Sequence, residues 1–237
     1  MKNKLILLIE YIHLRIFKHP MSPEMRSFCG NLSWSFFTGI FVMPLLLVIT
    51  TLAGRFMGPV EYGKYSLLLV VNQFLVVFIF FGLDTTSVKN IAKAKSFADK
   101  KKIIAATANF IFLILAVLAI LSIFLYPLLC KFSKDYSLFA ILTVYYTLIV
   151  SIKVMFDLFI RGMENFKKQA QGKILEIGVV LTVFILLFII LKKSSFISFL
   201  FVVNAGAIAI SLYYYLYLAK YFGKSDKKIL FQQLKEA

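Results

Sequence analysis

An all-α integral membrane protein, a bundle of six transmembrane helices with an amphipathic helix ahead of it, is the fold this sequence predicts. Three observations predict it. The first is apolar content: 61% of the 237 residues are hydrophobic and mean hydropathy is +0.87, whereas a soluble domain is roughly half apolar. The second is run length. Six stretches, 33–53, 65–83, 107–130, 136–160, 172–191 and 196–219, match the ~20 apolar residues that cross a hydrocarbon core. They are continuous rather than alternating, so they read as helices and not as barrel strands. The third is the placement of charge. With the N-terminus inside, twenty of the 27 Lys and Arg fall in inside segments and six fall outside: Arg55, Lys64, Lys131, Lys134, Lys192 and Lys193. Lys153 alone lies deep within a run; Lys173, at the inner edge of 172–191, is counted inside. This asymmetry puts both termini in the cytoplasm of a multi-pass cytoplasmic membrane protein. The net charge of +16 is then topology plus attraction to anionic membrane lipids, at ~1 kcal/mol per residue near the surface. No nucleic-acid partner is expected.

Residues 1–30 form an interfacial segment. "LILLIEYIHLRIF" (5–17) is apolar but carries Glu10, His13 and Arg15. It is too short to span and fits an amphipathic helix on the inner surface. No small-residue cleavage site follows, so it does not read as a signal peptide. Residues 31–222 form the six-span bundle. Pro44 in the first run frees a backbone carbonyl, which makes a hinge or a tolerated kink. Asn72 and Gln73 in the second run read as hydrogen-bonding glue between helices before they read as ligands. "KNIAKAKSFADKKK" (89–102) reads as a cytoplasmic continuation of that run, or as a docking surface for anionic lipid or a partner. The fourth run holds the expensive residues. Lys153, Asp157 and Arg161 are spaced i, i+4, i+8, on one helix face, with Lys153 about 12 Å deeper than Arg161 at 1.5 Å per residue. Charges inside a span are functional candidates by default. A self-satisfied pair of Lys153 with Asp157 and a cationic wall of an aqueous cavity both fit. Glu176 resembles the buried amides. "YYYLY" (213–217) is most simply an interfacial aromatic belt.

Cys29 and Cys130 fall on opposite sides of a core ~30 Å thick, too far apart to pair. No cluster suggests a metal, and no cofactor is expected. There is no Walker loop, GxSxG or HExxH, and the outside loops lack paired carboxylates or histidines. An enzyme is therefore not expected.

The link "AGRFMGPVEYGKY" (53–65) is more specific than a turn requires. Together with the flanking runs over 31–93, Gly54, Arg55, Gly58, Pro59, Tyr62, Gly63 and Tyr65 resemble the first hairpin of the polysaccharide flippases. These are exporters of O-antigen and teichoic-acid units, in one superfamily with the lipid II flippase and the multidrug/toxin (MATE) extruders. Gly82 and Leu83 closing the second run, and "FIRGMENFKKQAQGKILEIGVVLTVFILL" (159–187), also look like that family. Gly58 and Pro59 would end the first helix and turn the chain, and Gly63 would supply backbone freedom or close packing. The tyrosines would sit at the outer interface, and Arg55 would anchor there or face a passage.

The resemblance implies one half of a MATE-like, two-bundle transporter. The tail, 223–237, would lead toward a second half. The implied function is translocation of a polyprenyl-pyrophosphate-linked oligosaccharide for cell-surface polysaccharide biosynthesis. Arg55, Lys153 and Arg161 would be cavity cations, with Asp157 tuning them. The implied partners are that lipid-linked oligosaccharide, membrane lipids, and a second six-span half or glycan-assembly proteins. Half of a cation-coupled multidrug extruder and a non-transporting membrane scaffold remain as alternatives.

Overall fold

The computed structural model describes residues 22–132 and 134–222, together with Tyr11, Leu14, Arg15 and Lys18. The segment predicted as an amphipathic helix at 5–17 and the tail 223–237 lie otherwise outside the described residues, as do the side chains of Cys29 and Cys130. All regular structure among the described residues is helical. Helix α1 spans Pro23–Phe80, α2 Leu83–Lys93, α3 Phe97–Phe132, α4 Lys134–Gly162, α5 Phe166–Phe184 and α6 Phe196–Leu218. A six-residue π-helical stretch, Ile185–Ile190, continues α5. Five helices are long and apolar enough to cross a membrane: Ser33–Phe80, Phe97–Pro127, Ser137–Gly162, Phe166–Ile190 and Phe196–Tyr221.

The first two predicted runs therefore lie in one 58-residue helix, and its interior departs from helical geometry at Gly58. There φ is 78° and ψ is 172°, a region essentially reserved for glycine. Pro59 then opens the second segment, where a proline lacks no needed N–H. The backbone stays helical through Pro44. The Tyr62 ring lies 3.5 Å from where a Cβ on Gly54 would sit. In an unbroken helix residues eight apart would be about 12 Å apart along the axis, so the chain bends back on itself at Gly58.

Short polar residues start the helices. The Ser22 hydroxyl accepts from the Met25 N–H at 3.2 Å ahead of Pro23. Ser96 accepts from Asp99 N–H at 3.0 Å before α3, Asn165 from Lys168 N–H at 3.2 Å before α5, and Ser195 from Ser198 N–H at 3.2 Å before α6. Each satisfies one of the free donors of a first turn. Phe81 and Gly82, both left-handed at φ 45° and 78°, end α1 and turn the chain into α2. Segment 89–102 is thus not one continuation of the preceding run. It divides into the end of α2, a break at 94–96, and the first turns of α3.

Two packed clusters fill the bundle. One gathers Phe80, Ile91, Ile104, Met155, Phe159 and Tyr214; the other gathers Ile49, Met57, Tyr65, Phe184, Phe188 and Phe199. Small residues allow close approach, as membrane helices require: a Cβ on Gly162 would meet Ile91 at 2.9 Å, and one on Gly206 would meet Val180 at 2.4 Å. Large apolar side chains such as Phe36, Met43, Leu47, Phe74, Val77 and Phe124 remain exposed, an outward surface suited to lipid.

Candidate functional site

The fourth predicted run, now α4, carries Lys153, Asp157 and Arg161 on one face, but the structure divides them. Lys153 Nζ is 2.5 Å from Glu176 Oε1 on α5, so its counter-charge comes from the neighbouring helix and not from Asp157 as the spacing suggests. The reason is direction. Side chains lean toward the helix N-terminus, so Lys153 leans away from Asp157, toward the level α5 reaches at Glu176. Asp157 instead receives Arg161 Nε at 3.2 Å. It also accepts two hydrogen bonds from Gln169 Nε2, at 3.0 and 3.2 Å. The Tyr214 hydroxyl donates to the Gln169 carbonyl at 3.0 Å. Arg161, Asp157, Gln169 and Tyr214 thus join α4, α5 and α6 in one polar chain.

Sequence reasoning places 213–217 in an interfacial belt, and the structure corrects this at Tyr214. Tyr214 is fully buried, and a Cβ on Gly172 would meet its ring at 2.4 Å; the glycine makes room for the tyrosine. Tyr213 and Tyr217 hold Lys168 of the first turn of α5 and its capping residue Asn165. Lys168 Nζ donates to the Tyr213 hydroxyl at 3.3 Å and lies over both rings, at 5.4 and 5.7 Å from their centres. Asn165 Nδ2 donates to the Tyr217 hydroxyl at 3.0 Å. Lys168, Gln169 and the tyrosines meet across α5 and α6, a combination that no spacing within one helix exposes.

The 53–65 corner lies at the other end of the bundle. Arg55 is exposed and has no ion-pair or hydrogen-bond partner among the described residues; it does not join the α4 charges. Gly63 has open space around its Cβ position and no positive φ, so the backbone freedom assigned to it belongs to Gly58. Tyr65 does not sit at an interface. It is buried and meets Phe199 edge-on at 4.8 Å.

Glu61, which sequence reasoning passed over, ties the corner down. Its Oε2 accepts the Phe196 N–H at 2.9 Å, capping α6, and its Oε1 pairs with Lys64. We expect Glu61→Ala to cost about 1 kcal/mol, as a lost helix cap does. Lys64→Ala should cost less than about 0.5 kcal/mol, because an exposed pair contributes little. Thermal unfolding of the two purified variants measures the difference.

Asn72, expected to bridge helices, is buried with its side-chain oxygen unpartnered; the same holds for Asn204 and for the Ser151 hydroxyl. No group of metal-ligating side chains occurs among the described residues.

A family model described as "Polysaccharide biosynthesis protein" matches residues 28–236. No curated protein and no solved structure matches the chain.

Proposed function

The chain belongs to the polysaccharide biosynthesis protein family, and from that premise we propose that it translocates a polyprenyl-pyrophosphate-linked oligosaccharide across the cytoplasmic membrane. One observation carries the reading beyond the family: four charged side chains, Lys153, Asp157, Arg161 and Glu176, lie on two adjoining membrane helices of such a chain. Ionisable groups at that depth mark passages for polar cargo. The bundle works as one half of a two-bundle, MATE-like machine, with a second bundle forming the other wall.

In this reading the bundle crosses six times, with both termini in the cytoplasm. Support comes from length and contact. The first candidate span has 48 residues, about 72 Å of helix at 1.5 Å per residue, more than twice the ~30 Å core. Its start lies beside Phe166 and Gln169 through Ser35 and Thr38, its middle beside Phe196 through Glu61. The α2 helix that follows returns to α4 at Gly162. Two crossings around Gly58 account for all three contacts.

Arg161 is the most exposed of the four charges, at 43%, and meets the anionic pyrophosphate first at the cytoplasmic end. Lys153 takes it next by exchanging Glu176 for phosphate oxygens, and Asp157 holds Arg161 in place between turnovers. Arg55, unpaired at the corner, receives the head group at the outer end. The lipid tail stays in the bilayer while the bundles rock. Both carboxylates of the network are committed to cations, which weighs against a cation-coupled drug extruder.

The test is genetic and chemical. Deleting the gene should leave the lipid-linked oligosaccharide in the inner leaflet and remove surface glycan. The native gene should restore both, and Arg161→Gln should restore less. Unchanged surface glycan after deletion, in cells with no second exporter, rejects the proposal.

A further inference from the structure

The seam between α1 and α5 borders the polar network at Gln169, and it changes character along its length. At the end near the α4–α5 link, a cleft of about 170 Å³ is lined by Ser35, Thr38 and Gly39 of α1 and by Gln169 and Lys173 of α5. Next to it runs an open groove of about 560 Å³, lined by Phe41, Pro44 and Val48 of α1 and by Ile174 and Ile177 of α5. Val42 lines both, so the two adjoin. On both helices the polar residues of the cleft precede the apolar residues of the groove in the chain. Lys173 has no hydrogen-bond or ion-pair partner among the described residues. Gln169 is already held by Asp157, so the lysine is the free charge of the cleft. A Cβ on Gly39 would meet nothing within 4 Å, which leaves the mouth open.

We propose that this seam binds the lipid carrier itself: one isoprenoid chain lies along the groove past Pro44, and its phosphate-class head group sits on Lys173. Charge complementarity selects an anionic head. A cation at a site walled by apolar side chains gains more from a charged hydrogen bond than one in water does. The residues lining the groove come from α1 and α5, and among anionic lipids the proposed cargo selects a single-chain polyprenyl phosphate over a two-chain phospholipid. The seam would hold the carrier beside the network through Gln169, which lines the cleft and donates to Asp157. This inference rests on the proposed cargo.

The experiment uses the full chain in nanodiscs and a photoreactive polyprenyl phosphate. Label should map to 40–48 and 174–177. Lys173→Gln should lower labelling about tenfold, the scale of one charged hydrogen bond, to the level given by the neutral polyprenol probe. Gly39→Trp should abolish labelling by both probes, and Lys167→Gln should leave both unchanged. Free inorganic phosphate should not compete at the same concentration, since it lacks the chain. Equal labelling of wild type and both seam variants overturns the proposal. So does equal labelling by a photoreactive phosphatidylglycerol, or cross-linking that shows residues 1–21 filling the seam. Failure here separates from failure of the export reading. Seam variants that restore surface glycan fully sink only the lipid site, whereas correct labelling in a chain that restores no glycan sinks only the export reading.

Discussion

Gly58→Val is expected to prevent accumulation of folded protein, while Gly63→Ala is expected to leave it unchanged or slightly more stable. The two glycines sit five residues apart in the same link, so composition cannot separate them. Gly58 holds φ 78° and ψ 172°. A side chain there adds strain of ~1–3 kcal/mol before any effect of branching. The bend it would disturb brings Tyr62 onto Gly54 and Glu61 onto α6, so the strain is not locally contained. Gly63 sits in a helix, and its Cβ position is empty; alanine there should gain up to ~0.5–1 kcal/mol of helix propensity. The yield of folded protein after solubilisation in one detergent, with the melting temperature of whatever accumulates, decides it. Equal loss at both positions would contradict a corner centred on Gly58.

Glu176→Leu is the second large effect. It leaves Lys153 without a counter-charge in the bundle. Stranding one member of a buried pair costs ~3–5 kcal/mol, and the lower end applies here because the two side chains are 29% and 20% exposed. Adding Lys153→Met should recover most of that loss. Asp157→Leu should cost less and should not couple to Lys153, because Arg161, its partner, is 43% exposed and can reach water. A double-mutant cycle reads the two couplings directly. A larger coupling between Lys153 and Asp157 than between Lys153 and Glu176 would contradict the pairing.

These two cases show what was legible in the chain. Apolar run length is a one-dimensional property, so the long apolar helices and the break at 53–65 could be read directly, although the first two of the six runs lie in one helix. Helical spacing could also put Lys153, Asp157 and Arg161 on one face. Spacing says nothing about which neighbouring helix that face meets, so Glu176 and Gln169 were missed as partners. Tyr214 was misplaced for a related reason. A tyrosine near a helix end reads as interfacial until the glycine that accommodates it, Gly172 on another helix, is known. Glu61 stood in plain view within the link, but its role depends on the start of α6 far along the chain. The backbone freedom assigned to Gly63 failed because glycine identity does not reveal backbone angle.

The most direct test of lipid-linked oligosaccharide translocation is reconstitution. Liposomes carrying the purified protein, together with its second bundle where that is a separate chain, are loaded with a fluorescent polyprenyl-pyrophosphate oligosaccharide. Leaflet exposure is then read with an impermeant quencher. The account predicts that the protected half of the lipid becomes quenchable in liposomes with protein, faster than in protein-free liposomes, and more slowly with Arg161→Gln. Equal quenching with and without protein, for a preparation that is folded by its melting curve, would contradict it.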